Sequence, residues 1–99
     1  MSVQGETREK TKINIREPKH YKVIMHNDDF TPMEFVVEIL IAVFRKELQE
    51  AERLMMMVHE NGRAVVGSYS YDIAVTKVME ASDCAKEEGY PFRMTVEEA

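Results

Sequence analysis

The stretch Tyr21-Lys22-Val23-Ile24-Met25-His26-Asn27-Asp28-Asp29-Phe30-Thr31-Pro32-Met33-Glu34 decides how this chain is read. Its first six residues are rich in β-formers and predict a strand. Asn27 to Phe30 is a turn-type cluster. A helix start follows: Thr31 suits the N-cap, Pro32 the first helical position, and Glu34 the third, completing a capping box. The helix is expected from Pro32 to about Lys46. Its polar positions Glu34, Glu38 and Arg45 fall near one stripe, with Ala42 filling the gap. Met33, Phe35, Val36, Val37, Ile39, Leu40, Ile41, Val43 and Phe44 occupy the rest, so burial over most of the circumference is expected.

Further along, Leu48, Ala51, Met55 and Val58 recur at helical spacing and predict a second helix from about Leu48 to Glu60. Asn61-Gly62 ends it, because both residues tolerate a left-handed cap. Arg63 to Tyr69 reads as a second strand. Ser70 is a plausible N-cap for a third helix from Tyr71 to about Glu88, with Ile73, Ala74, Val78, Ala81 and Ala85 inward. Gly89 stops it and Pro91 prevents a restart. Phe92 to Val96 alternates as a half-buried strand. The order β-α-α-β-α-β predicts an α+β fold: an antiparallel three-stranded sheet with three helices on one face.

Two compositional regions are visible. Residues Met1 to Glu17 are polar, with no aromatic and only isolated aliphatics. Such a segment buries too little surface to offset its ordering entropy, so 1–17 is expected to be a disordered, flexible N-terminal extension. Pro18 begins the folded part, one domain spanning 18–99. The whole chain has 99 residues, 44% of them hydrophobic, enough for a modest core without metals or disulfides. The single cysteine, Cys84, has no partner for an internal bridge and reads as a small apolar filler on a helix. The first residues hold no apolar stretch fit for a signal peptide, and no run approaches a membrane span. A cytoplasmic location and no membrane partner are expected. The net charge of −5 argues against nucleic acid as a partner, which needs a basic face.

Enzyme readings fail on motifs. The chain has no glycine-rich phosphate loop, no HExxH, no paired CxxC and no nucleophile beside a base, so no catalytic activity is expected. His20, His26, His59 and the aspartates lack metal-ligand spacing, and no cofactor is expected. What remains unusual is Asn27-Asp28-Asp29 beside a heavily apolar helix. Carboxylates accept hydrogen bonds and asparagine both accepts and donates, which suits a cation with several donors. The plain alternative is a polar turn that caps a helix. His59 lies four residues after Met55 on one helical face, and Met33, Val36 and Met55 can line an apolar pocket beside the turn. A histidine near a helix C-terminus is also an ordinary surface group. Met55-Met56-Met57 suits core filling or an adaptable binding surface.

His26-Asn27-Asp28-Asp29-Phe30-Thr31-Pro32-Met33-Glu34-Phe35-Val36-Val37 resembles the ClpS adaptors, as do Met55 to Gly62, Gly67, Ala74 to Val78 and the closing Pro91 to Ala99. The resemblance covers about Pro18 to Ala99. It implies an adaptor of the bacterial N-end rule, which binds substrates with a large hydrophobic first residue (Leu, Phe, Tyr or Trp) by their free α-amine. The partner it implies is a Clp/Hsp100 AAA+ unfoldase, ClpA or a relative such as ClpC, feeding the ClpP protease. Carried over by position, Asn27, Asp28, Asp29 and His59 form the amine site. Thr31, Pro32, Met33, Val36, Met55, Val58 and Phe92 line the side-chain pocket, with Met33 crowding its mouth. Asp72 and Lys77 match the unfoldase-docking positions. Phe30, Val75 and Phe92 depart from the usual tyrosine, acidic residue and leucine. A different class remains open beside this one: a non-catalytic interaction module with a ribosomal-stalk-like α+β build. It accounts for the fold and the acidity but not for the Asn-Asp-Asp turn.

Overall fold

A computed structural model of the chain describes residues 19–99, so the expected N-terminal extension and Pro18 lie outside the described residues. β1 (Tyr21–His26) is the central strand of the sheet. β2 (Arg63–Tyr69) and β3 (Arg93–Glu98) flank it, both antiparallel to it. Strand alternation sends Val23 and Met25 to one face, where they join Ala64, Val66 and Met94 in the core. Ile24, on the opposite face, is fully buried between its register partners Val65 and Thr95. The β1–β2 register shifts between Val23 and Ile24, so Val66 is the extra residue of a bulge.

Three helices complete the order β-α-α-β-α-β: α1 (Met33–Ala42), α2 (Leu48–Asn61) and α3 (Tyr71–Glu88). α2 lies along β2, α3 along β3 and β1, and α1 packs on α2. Leu40 and Leu54 fill the space between the first two helices and are almost wholly buried. Truncating either to alanine would cost roughly 2–5 kcal/mol. Phe35 anchors α1 to the segment between α3 and β3, with the Tyr90 and Phe92 rings edge-on to it at 4.9 and 6.0 Å.

α1 departs from expectation at both ends. Its N-cap is Pro32, in extended conformation and without a side-chain cap, so the Thr31–Glu34 capping box does not form. The reason is local: the Thr31 amide and hydroxyl are both committed to Asp28. The helix stops at Ala42 rather than Lys46. Val43 and Phe44 drop into the core, Arg45 takes a left-handed φ of 56°, and the Lys46 amide returns to the Leu40 carbonyl. The Lys77 ammonium reaches across from α3 and donates to the Val43 carbonyl at 2.8 Å, so the cap comes from 34 residues away.

Burial of the helices is more one-sided than their composition implied. Met33 and Ile41 of α1 are exposed, because the buried face of α1 is the Phe35, Val36, Ile39 and Leu40 stripe, with Val37 packed at its edge. In α2 the inner face is Ala51, Leu54 and Val58, while Leu48 is 57% exposed. In α3 Ala74, Ala81 and Ala85 face the sheet, and Ile73 points outward. Cys84 is exposed on that helix, not a core filler. Both helix-stop glycines act as expected: Gly62 (φ 88°) and Gly89 (φ 79°) are left-handed caps.

Candidate functional site

The site begins with a turn that Asp28 holds in shape. Its Oδ1 accepts from the Phe30 amide at 2.8 Å and the Thr31 amide at 2.7 Å, and its Oδ2 from the Thr31 hydroxyl at 2.8 Å. Partial burial pushes the Asp28 carboxyl upward, but the Thr31 and Phe30 amides and the Thr31 hydroxyl outweigh it and hold the group below its ordinary value. With three of roughly four acceptor positions filled, Asp28 shapes the loop more than it offers a free carboxylate. Asp29 beside it is exposed and keeps its acceptors open to solvent.

The loop is tied to α2 as well. The Asn27 amide donates to the Gly62 carbonyl at 2.9 Å, and the Gly62 amide donates to the Val58 carbonyl at 2.9 Å. The residue that caps α2 therefore also fixes the start of the acidic turn. His59, in the last turn of α2, is brought to the same cavity as Asn27 and Asp29.

That cavity has a volume of about 210 Å³. Asn27, Asp28, Asp29 and His59 form its polar part; Thr31, Met33, Val36, Met55 and Val58 form the rest. Val36 and Val58 make a buried floor, and Met33 stands exposed at the rim. A cavity below the roughly 300–1,000 Å³ of small-molecule sites suits one side chain better than a whole ligand. Its chemistry is an acceptor-rich mouth over an apolar floor.

Two sequence candidates lie elsewhere. Pro32 lines a neighbouring concavity with Glu34, Phe35, Glu38, Glu88 and Tyr90. Phe92 is buried in the core against Phe35, its outer edge facing a concavity with Tyr90 and Arg93. Its position just before β3 turns it under α1 rather than into the cavity. His26 also points away: its Nε2 pairs with the Thr95 hydroxyl at 2.7 Å on the open face of the sheet. Asp72 and Lys77 share a shallow concavity of about 420 Å³ with Arg45, Ile73, Thr76 and Glu80. Lys77 is half-buried there, its ammonium 5.7 Å from the Phe44 ring centroid and 5.8 Å from that of Tyr69.

Gly62 is the residue whose part in the site the sequence did not disclose. Asn61-Gly62 signals a helix end, but only the folded chain brings its carbonyl to Asn27. Among the described residues no group of three or more His, Cys, Asp or Glu side chains is placed to hold a metal ion. None of the described helices is long and apolar enough to cross a membrane.

Residues 16–95 match the family model described as ATP-dependent Clp protease adaptor protein ClpS. The chain belongs to the ClpS family. The ClpS adapter of Clostridium acetobutylicum is 51% identical over 89 residues, covering 90% of this chain and 88% of that protein. The ClpS adapter of Treponema denticola is 52% identical over 81 residues, covering 82% and 80% respectively. Among solved structures, Agrobacterium tumefaciens ClpS2 bound to L-phenylalaninamide superposes with a TM-score of 0.81 at 48% identity, covering 84% of this chain and all of that one. ClpS proteins are described as adaptors of the ATP-dependent Clp protease, and membership of that family displaces the stalk-like alternative.

Proposed function

We propose that this ClpS-family chain is a non-catalytic adaptor that binds proteins by a free N-terminal amine and a large hydrophobic first side chain. It hands them to a Clp AAA+ unfoldase, ClpA or a relative. The observation that carries this reading is the cavity itself, which joins Asn27, Asp29 and His59 to a floor of Val36, Met55 and Val58. A free α-amine is cationic and offers three donors. The Asp29 carboxylate, the Asn27 side-chain carbonyl and a neutral His59 nitrogen are three acceptors for it. Charge-assisted bonds of this kind contribute roughly 1.5–3 kcal/mol each, and burying the first side chain about 1.5–3 kcal/mol more. After association costs, about micromolar or tighter binding is expected. The ligand of the Agrobacterium relative, L-phenylalaninamide, is a free amine carrying a large apolar side chain, and it supports the same chemistry here.

The concavity around Asp72 and Lys77 is the surface we assign to unfoldase docking. It is separate from the cavity at the Asn27 turn, so one substrate and one unfoldase can be held together. The test is fluorescence anisotropy with labelled peptides that begin with Phe, Leu, Ile or acetyl-Phe. Phe and Leu peptides should bind and acetyl-Phe should not, because acetylation leaves the acidic acceptors underpaired. An acetylated peptide within a few-fold of the free one would overturn the reading.

A further inference from the structure

The apolar wall of the cavity at the Asn27 turn is chemically uneven. Val36 and Val58 are plain hydrocarbon and buried, whereas Met33 and Met55 carry thioether sulfurs. The fold sorts the methionines of the described residues by their access to solvent. Met25 and Met94 are buried in the core. Met55 and Met57 are half-buried against it. Met33, Met56 and Met79 stand in solvent, 44%, 42% and 59% exposed. Of these three, Met33 is the one that lines the cavity. It is the first residue of α1, and a long side chain on a helix leans toward the helix N-terminus, so its thioether leans toward the Asn27–Thr31 turn. An accessible, oxidisable sulfur therefore stands at the mouth of the site, while the sulfurs that hold the core together are shielded.

We propose that Met33 is an oxidative modification site, and that hydrogen peroxide weakens peptide binding by converting it to the sulfoxide. The proposal rests on the N-terminal reading above, since the cavity is where the change is felt. In the step, the Met33 sulfur attacks one oxygen of the peroxide. The S–O bond forms as the O–O bond breaks, and sulfur gives up two electrons. The departing hydroxide takes the proton from the sulfur-bound oxygen and leaves as water. The product is a polar, strong acceptor where the thioether was apolar. A large hydrophobic side chain entering the cavity then has to strip water from that oxygen without offering it a donor. The polar mouth of Asn27, Asp29 and His59 is unaltered, so the loss falls on the apolar part of recognition. Methionine sulfoxide reductases reverse the modification, which makes the weakening recoverable.

The test treats the full chain with graded hydrogen peroxide, maps each methionine by peptide mass spectrometry, and measures anisotropy of a labelled peptide that begins with Phe. Met33, Met56 and Met79 should convert ahead of Met55 and Met57, and Met25 and Met94 last. Affinity should fall about ten-fold in step with Met33 conversion, the effect of spoiling part of one side chain's burial. Methionine sulfoxide reductases should restore it. The Phe peptide, present during treatment, should slow conversion of Met33 and leave that of Met79 unchanged. Met33→Leu should have the same affinity, within two-fold, before and after peroxide. The double variant M56L/M79L, altered at two exposed positions outside the cavity, should lose affinity as the parent does. Full conversion of Met33 with affinity still within two-fold of the untreated protein overturns the proposal. So does a loss that persists in Met33→Leu, which would move the sensitive sulfur to Met55, or a loss that comes with collapse of the far-ultraviolet circular dichroism, which would make it general damage. An untreated protein that binds no Phe peptide refutes the N-terminal reading itself, and the proposal falls with it.

Discussion

Asn27 and Gly62 are joined by a 2.9 Å hydrogen bond from the Asn27 amide to the Gly62 carbonyl, so the acidic turn and the end of α2 form one unit. Gly62 caps α2 with a φ of 88°, where an L side chain is strained even though nothing stands within 4 Å of an added Cβ. The Gly62→Ala variant should lose about 1–2 kcal/mol in denaturant unfolding, all of it backbone strain. N-terminal peptide affinity should fall with it, because the strain is released by moving the carbonyl that positions Asn27. An alanine variant as stable as the parent would show that the cap is soft and the linkage weak.

Asp28 is expected to matter for shape. Replacing it with alanine removes three acceptor contacts and should cost about 1 kcal/mol, as loss of a capping side chain does. Its carboxyl is held below the ordinary value, so the stability it contributes is complete above that value and is lost as pH falls through the lower folded one. The difference between parent and Asp28→Ala should therefore shrink below about pH 4. A difference that persists unchanged at lower pH would assign the loss to packing.

His26 should set a second pH dependence. Burial lowers its pKa first, and the positive charges of Arg93 and Arg63 lower it further. The unfolded chain then binds a proton at pH values where the folded protein does not. Its stability contribution is intact above about pH 6.5 and declines as pH falls through the lower folded value. Thermal unfolding of His26→Gln against the parent should show a flatter profile as pH falls below about 6.5. Parallel profiles would remove His26 from the account.

Lys77 has a structural duty that a docking residue need not have. Its ammonium donates to the Val43 carbonyl at 2.8 Å and lies over the Phe44 and Tyr69 rings. The Lys77→Met variant keeps most of the stem and loses the donor, and should be less stable by about 1–2 kcal/mol. Unfolding in urea measures this without an unfoldase present. Unchanged stability would make Lys77 a docking residue only.

Met33 stands exposed at the rim of the cavity that Asn27, Asp29 and His59 line, one turn before the buried Val36. A β-branched first residue carries a second γ branch fixed close to its backbone. Met33→Ala should admit peptides that begin with Ile or Val, raising their affinity about ten-fold while Phe and Leu peptides change little. A peptide panel that gives the same ranking for both proteins would place the selectivity elsewhere.

The element order was legible because it rests on local signals. Arg63 to Tyr69 and Tyr71 to Glu88 match the structure residue for residue, since Asn61-Gly62, Ser70 and Gly89 mark their limits with local backbone chemistry. The acidic turn and the Met55–His59 spacing were likewise visible, because both depend on neighbours in sequence. The end of α1 was not, as no glycine or proline lies between Ala42 and Leu48. It is decided by Lys77, 34 residues on, capping Val43.

By itself, then, the sequence determined the strands, the helices, the left-handed caps and the residue types of a polar mouth over an apolar floor. Tertiary structure alone decided which of them meet. It committed Thr31 to Asp28 instead of to a capping box, put Phe92 under Phe35 rather than in the cavity, and turned Ile73 outward and Leu54 inward. It also tied Asn27 to Gly62. The physical reason is common to all four. Propensity and periodicity act over a few residues, whereas the partner of a side chain or a free carbonyl is fixed by what the folded chain brings within about 3–4 Å of it.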